Sequence, residues 1–170
     1  MKPRWLDEAY KLLGVTEIKG AENSPEILKL WEDAGLPFTD DETAWCAGFV
    51  GACLKRGGAA PSGSGLARSY LGWGFDVTEL GIKSIPPGAV LVYSRPGAPG
   101  SGHVGFAMGI TPEGHIMTLG GNQGDKVSIK PFAQERLLAA RWPMEGKNEL
   151  ALLRNLPKMK SNGALSEGEA

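Results

Sequence analysis

At 170 residues, with 42% hydrophobic and 22% charged side chains, the chain has ordinary globular composition and length enough to bury a real core. Eighteen basic residues against nineteen acidic ones leave a formal net charge of −1. That balance gives no overall attraction to nucleic acid or anionic lipid, and no apolar run approaches a membrane span. Neither a nucleic-acid partner nor stable membrane insertion is expected.

The N-terminus, Met1-Lys2-Pro3-Arg4-Trp5-Leu6-Asp7-Glu8, lacks the apolar stretch and small-residue cleavage site of a secretory signal. Synthesis in the cytosol is expected. Trp5, Leu6, Ala9, Leu12 and Leu13 recur at helical spacing, with Gly14 as a stop. Ser24-Pro25 is a cap followed by proline at the first helical position. Ile27, Leu28, Trp31 and Ala34 give that second helix an apolar face, and Gly35 ends it.

An acidic turn, Asp40-Asp41-Glu42, leads into a third helix expected over 43–56 and closed by Gly57-Gly58. Phe49, Val50, Cys53 and Leu54 form its buried stripe. Ala47, Gly48, Gly51 and Ala52 keep it narrow. Each glycine costs roughly 1 kcal/mol inside a helix, so a close-packed neighbour is expected there. A short helix is expected at 67–71.

From Pro86 onward the period changes. Strands are expected at 89–93, 103–109, 115–119, 127–129 and 137–142, separated by turns and glycine-rich loops. Helices followed by antiparallel strands predict an α+β domain, with the N-terminal helices packed on the sheet. The domain is expected to span 1–145. Residues 146–170 read as an extension with a helix at 149–156 and then a mobile tail.

Three segments carry the chemistry. Cys46 falls in the first turn of the third helix, where unpaired N–H groups and the dipole favour a thiolate. Its own N–H is a candidate donor to an oxyanion. Read alone, a cysteine there is a small buried hydrophobe. His103 opens a strand whose period places it with Gly105 and Ala107, a face small enough for a helix to lie close. Read alone, it is a polar residue at a strand end. Asn122, in Gly120-Gly121-Asn122-Gln123-Gly124, is the candidate to orient the imidazole, with Gln123 as its substitute. Read alone, it is a turn residue tolerant of the left-handed region. Thiol, imidazole and amide in that order point to a cysteine hydrolase.

Trp45 and Gln123 are candidates for substrate binding, Trp45 as a wall of the cleft. Cys53, two turns deeper, reads as core, and His115 as a solvated turn residue. The two cysteines, if on one helix, are separated by roughly 10 Å of rise, beyond the reach of a disulfide. With two cysteines, two histidines and no Cys-x-x-Cys pair, a structural zinc site is not expected. Asp40, Asp41 and Glu42 read first as helix caps. Calcium at Asp40 and Asp41 is the further reading, although the spaced loop of an EF-hand is absent.

Together these segments resemble the CHAP and NlpC-type cysteine hydrolases of bacterial cell walls, in the branch of small phage and prophage lysins. The resemblance covers 3–143. Its carriers are Trp5-Leu6-x-x-Ala9, Asp41-Glu42-Thr43-Ala44-Trp45-Cys46-Ala47-Gly48-Phe49-Val50, Gly102-His103-Val104-Gly105-Phe106, Leu119-Gly120-Gly121-Asn122-Gln123 and Arg141-Trp142-Pro143. It implies a papain-like α+β fold and a peptidoglycan substrate. It implies a cysteine endopeptidase or N-acetylmuramoyl-L-alanine amidase, with Cys46 as nucleophile, His103 as base and then acid, and Asn122 as orienter. Many CHAP relatives carry a glutamate close before the matching asparagine, where this chain has Gly120 and Gly121. A monomeric lysin held in the cytosol and acting in the periplasm or cell wall after release fits this pattern. So does a secretion-system effector of the same chemistry. The reading from another class is a non-catalytic phage structural or binding module.

Overall fold

The computed structural model describes residues 2–150 and 155–167. Three helices precede a six-stranded antiparallel sheet, an α+β arrangement. The first helix, α1 (Arg4–Lys11), buries Trp5, Leu6 and Ala9. It ends before Leu12, and Leu13 is exposed, because Gly14 leaves the helix to donate its N–H to Val127 O at 3.0 Å. Trp5 anchors α1 to the sheet. Its indole donates to Gly88 O at 2.8 Å, and its ring meets Trp142 edge-on at 5.1 Å.

Helix α2 (Pro25–Asp33) follows the cap read from sequence: the Ser24 hydroxyl accepts from Ile27 N, and Pro25 stands at the start. Helix α3 (Cys46–Arg56) begins three residues later than the sequence predicts. The Asp40 carboxylate takes the Thr43 N–H at 2.6 Å and its hydroxyl at 3.1 Å. That side-chain turn competes with helix and delays its start. Every residue of α3 from Cys46 to Leu54 is buried. The narrow stripe has the steric cause expected of it. A Cβ on Gly48 would lie 2.6 Å from the Trp31 ring of α2, and one on Gly51 would lie 3.1 Å from Ala34. At the far end, Arg56 clamps Asp33 of α2 through Nε at 2.7 Å and Nη2 at 2.6 Å.

The sheet strands are β1 (Phe75–Asp76), β2 (Val90–Ser94), β3 (Gly102–Ile110), β4 (Ile116–Gly120), β5 (Ser128–Phe132) and β6 (Leu137–Trp142), in spatial order β1-β6-β2-β3-β4-β5. Pro131 is accommodated because β5 is an edge strand. Strand β1 is a two-residue pairing with β6, too short to show a period. Helix α3 packs on the Phe106 side of β3, where Phe49 and Phe106 meet edge-on at 6.0 Å. The small-residue face expected to receive the helix has another use: a Cβ on Gly105 would lie 2.7 Å from Thr118 Cγ2 of β4.

The segment read from sequence as a mobile tail, 157–170, is docked over its described residues, 157–167. Ile110 N donates to Pro157 O and Met159 N to Ile110 O, both at 2.9 Å. Leu156 is buried, and Met159 packs against the core over Gly109. Further on, Ser166 N donates to Pro131 O at 2.9 Å and Ser166 O accepts from Arg136 Nη1 at 2.6 Å. A helix at Lys147–Leu150, α4, starts the extension. The rest of the helix expected at 149–156 lies in part outside the described residues, and Asn155 and Leu156 are not helical. No helix among the described residues is long and apolar enough to cross a membrane.

Candidate active site

Cys46 is the first residue of α3 and is 6% exposed. Two contacts hold the helix end that carries it. Asp40 fixes the preceding turn through Thr43, and those hydrogen bonds hold its carboxyl below the usual carboxylate range. Trp45, the N-cap residue, is fully buried and donates its indole N–H to Glu17 Oε1 at 2.7 Å. Trp45 is therefore not the cleft wall expected from sequence; it is a core anchor for the helix end. Burial pushes the Glu17 carboxyl up; the Trp45 N–H opposes this, and Asp125, Asp41 and Glu42 add to it by like-charge repulsion.

Asp41 is completely buried, and its Oδ2 accepts the N–H groups of Ile18 and Ser24, both at 2.8 Å. Asp40 and Asp41, the calcium candidates, thus serve different backbone groups. No group of three or more His, Cys, Asp or Glu side chains among the described residues is placed to share a metal ion.

His103 lies at the start of β3, fully buried, opposite Tyr93 of β2. Its ring stacks on Phe132, centroids 5.4 Å apart and planes 6° apart. Phe132 in turn stacks on Tyr93 at 4.4 Å, and the Tyr93 hydroxyl shares a hydrogen bond with Thr118 Oγ1 at 2.7 Å. This stack sets the plane of the imidazole. Its rotation within that plane is set by Gln123, whose Oε1 is 2.9 Å from His103 Nε2.

The Gln123 amide has only one workable orientation. Its Nε2 donates to Ser128 O at 2.8 Å and to Thr118 O at 3.3 Å. A flipped amide would set its oxygen against two carbonyls. With the nitrogen so placed, Oε1 faces the imidazole and can only accept. His103 Nε2 must then carry the proton, which leaves the basic lone pair on Nδ1. The tautomer is thereby assigned from the network.

The sequence expectation put Asn122 on the imidazole, with Gln123 as its substitute there and as a substrate-binding candidate. In the structure the hydrogen bond to the imidazole is made by Gln123. Asn122 has a positive φ of 58°, and its side chain lines the cleft beside Cys46 and His103. It is 2% exposed, and its Oδ1 is buried without a hydrogen-bond partner among the described residues. The left-handed backbone at Asn122 lets Asn122 line the cleft while Gln123 bonds inward. Gly120 is required for the pair: a Cβ there would fall on Gln123 Oε1 and lie 3.1 Å from His103 Nε2. A Cβ on Gly121 would lie 2.6 Å from both Phe49 and the Trp45 ring, so that glycine lets the loop approach the start of α3.

The cleft contains further residues that the sequence did not single out, among them Arg68, Arg95 and Ser101. Arg68 lies in the short helix expected at 67–71, now seen at Ala67–Gly72, whereas Arg95 and Ser101 come from the loop between β2 and β3, which carries no periodic signal. The second thiol belongs elsewhere. Cys53 is fully buried in α3, and burial pushes its thiol far above the ordinary range. His115 lies in the β3–β4 turn region and does not line the cleft.

A thiol at a helix start and an imidazole of fixed tautomer share one cleft. That arrangement can perform nucleophilic acyl transfer. The chain matches no model of a known family, no curated protein and no solved structure, so its functional reading rests on the geometry of Cys46, His103 and Gln123.

Proposed function

We propose that this protein is a cysteine hydrolase with a papain-like fold of the CHAP and NlpC type, cleaving a peptide or amide bond of the peptidoglycan stem peptide. The observation that carries this reading is the Gln123–His103 hydrogen bond, which fixes Nε2 as donor and leaves Nδ1 as base in the cleft that holds Cys46.

The chemistry follows in two halves. His103 Nδ1 takes the Cys46 proton, and the helix N-terminus favours the resulting thiolate. The thiolate sulfur attacks the scissile carbonyl carbon, and the carbonyl oxygen becomes an oxyanion within reach of backbone N–H donors at the helix start. Collapse breaks the C–N bond as His103 gives its proton to the leaving amine. A thioester remains on Cys46. His103, neutral again, takes a proton from water, and the hydroxide adds to the thioester carbonyl. Collapse releases the carboxylic acid and returns the thiol. Gln123 touches neither substrate nor reacting atoms; it is a positioning residue that accepts from Nε2–H throughout and stabilises the transient imidazolium.

The test is incubation of wild type and Cys46→Ala with purified peptidoglycan, with and without chelator, and identification of the products by mass spectrometry. New amine and carboxyl termini from wild type alone are expected, and the fragments distinguish amidase from endopeptidase. Equal release by Cys46→Ala would end the thiol mechanism. No release by either, with Cys46 also unreactive to alkylation, would favour a non-catalytic binding module.

A further inference from the structure

Among the described residues, the cleft that holds Cys46 and His103 is lined by two arginines, Arg68 and Arg95, and by no acidic side chain. Arg68 is held in place. Its Nε donates to Ser101 O at 2.7 Å, and its aliphatic stem passes over Gly102, where a Cβ would lie 3.3 Å from Arg68 Cγ. Ser101 is two residues before His103, so this guanidinium is anchored on the segment that leads into the base. Arg95 reaches the same cleft from the loop that follows β2. Both arginines are half-buried.

Neither guanidinium pairs with a carboxylate among the described residues. Elsewhere, arginines of this chain are used structurally: Arg56 on Asp33, Arg141 on Asp76. Two like charges gathered without an acid at the mouth of a site are costly unless an anion joins them. Guanidinium forks match the planar geometry of a carboxylate and bind it bidentately.

Resting on the hydrolase reading, we infer that Arg68 and Arg95 form a carboxylate-binding subsite, so the substrate is a peptide with a free carboxylate close to the scissile bond. Stem peptides offer such groups wherever a diacid is linked through one of its two carboxyls. The subsite would hold that carboxylate beside His103 and set which bond reaches Cys46. It would also reject a peptide in which the carboxylate has become a carboxamide, because a guanidinium then loses its charged acceptor.

The test uses a synthetic stem tetrapeptide and the same peptide with its free carboxylates converted to carboxamides. Cleavage by wild type is measured as kcat/KM, and binding to Cys46→Ala is measured by calorimetry. At least about tenfold preference for the carboxylate form is expected in both readouts. Arg68→Gln and Arg95→Gln, the latter free of the Ser101 contact, should each bring the preference towards one by weakening the carboxylate form. Cleavage of both forms at equal rate would overturn the subsite and leave the hydrolase standing. Preferential binding without cleavage would sustain the subsite and end the hydrolase reading. Neither binding nor cleavage would overturn both.

Discussion

Gln123 holds His103 through a single 2.9 Å hydrogen bond, and Gln123 is itself held by the carbonyls of Ser128 and Thr118. The imidazole therefore inherits its tautomer from the backbone of β4 and β5. Gln123→Ala should lower kcat by about 100-fold, within the range that a positioned acid–base contributes, with the fold retained by circular dichroism. The pH profile separates positioning from mere packing. Loss of an acceptor to Nε2–H removes stabilisation from the imidazolium, so the limb reporting its deprotonation should move to lower pH. An unchanged profile with reduced kcat would point to packing alone. Asn122→Ala, which touches no ring nitrogen, should leave that limb in place.

Gly120→Ala probes the same pair without touching either member. The added methyl would overlap Gln123 Oε1, so the amide must shift and its hydrogen bond to the imidazole should be lost. Activity should fall about as far as in Gln123→Ala, and the double variant should be little worse than either single one. Additive losses would show that Gly120 acts through some other contact.

How far this site could be read in advance differs residue by residue. Cys46 at a helix start and His103 at a strand start follow from local patterns, an acidic turn before a helical stripe and a period change after Pro86. The choice between Asn122 and Gln123 does not. It depends on a left-handed φ at Asn122 and on carbonyls of Thr118 and Ser128, which no period encodes. Trp45 misleads for a similar reason: its indole is satisfied by Glu17, 28 residues away. The docked segment at 157–167 looks like a tail because its polar composition suggests one. Much of its attachment runs through backbone hydrogen bonds to Ile110 and Pro131, which are independent of side-chain identity, and Met159 adds an apolar contact over Gly109.

The two thiols should differ sharply towards an alkylating reagent. Cys46 borders the cleft, whereas Cys53 is fully buried with its thiol pushed up by burial. Iodoacetamide at neutral pH should label Cys46 in the native protein and both cysteines only after denaturation, as read by peptide mass spectrometry. Native labelling at Cys53 would mean that α3 opens far more readily than its packing implies.

The clamp between α2 and α3 predicts an acid-sensitive contribution to stability. Burial alone would raise the Asp33 carboxyl, but the hydrogen bonds and charges of Arg56 and Lys29 outweigh it and the net shift is downward. A carboxyl lowered in the folded state binds its proton more weakly there than in the unfolded chain. Its stabilisation is therefore complete above the ordinary carboxylate range and is lost as pH falls through the folded value. Asp33→Asn should cost about 1–2 kcal/mol at neutral pH, the scale of a charged hydrogen bond, and almost nothing in strong acid. Urea denaturation at several pH values measures this. A pH-independent difference would assign the cost to shape instead of charge.

Removal of 157–170 should destabilise the domain instead of trimming a loose end. The truncated chain loses both hydrogen bonds to Ile110, the Ser166–Pro131 hydrogen bond and the Ser166 carbonyl that receives Arg136 Nη1. It also uncovers Gly109, over which Met159 packs. At about 1 kcal/mol for each hydrogen bond, the loss is on the order of 3–4 kcal/mol, a large share of a typical domain's stability. The consequence reaches the site by a traceable route. The Arg136 guanidinium lies over the Phe132 ring at 5.1 Å, and Phe132 stacks on His103. Turnover should therefore decline in the truncated protein at temperatures where circular dichroism still reports a folded chain. A truncated protein with unchanged melting temperature and unchanged turnover would mean that the docked segment contributes nothing to either the sheet or the imidazole stack.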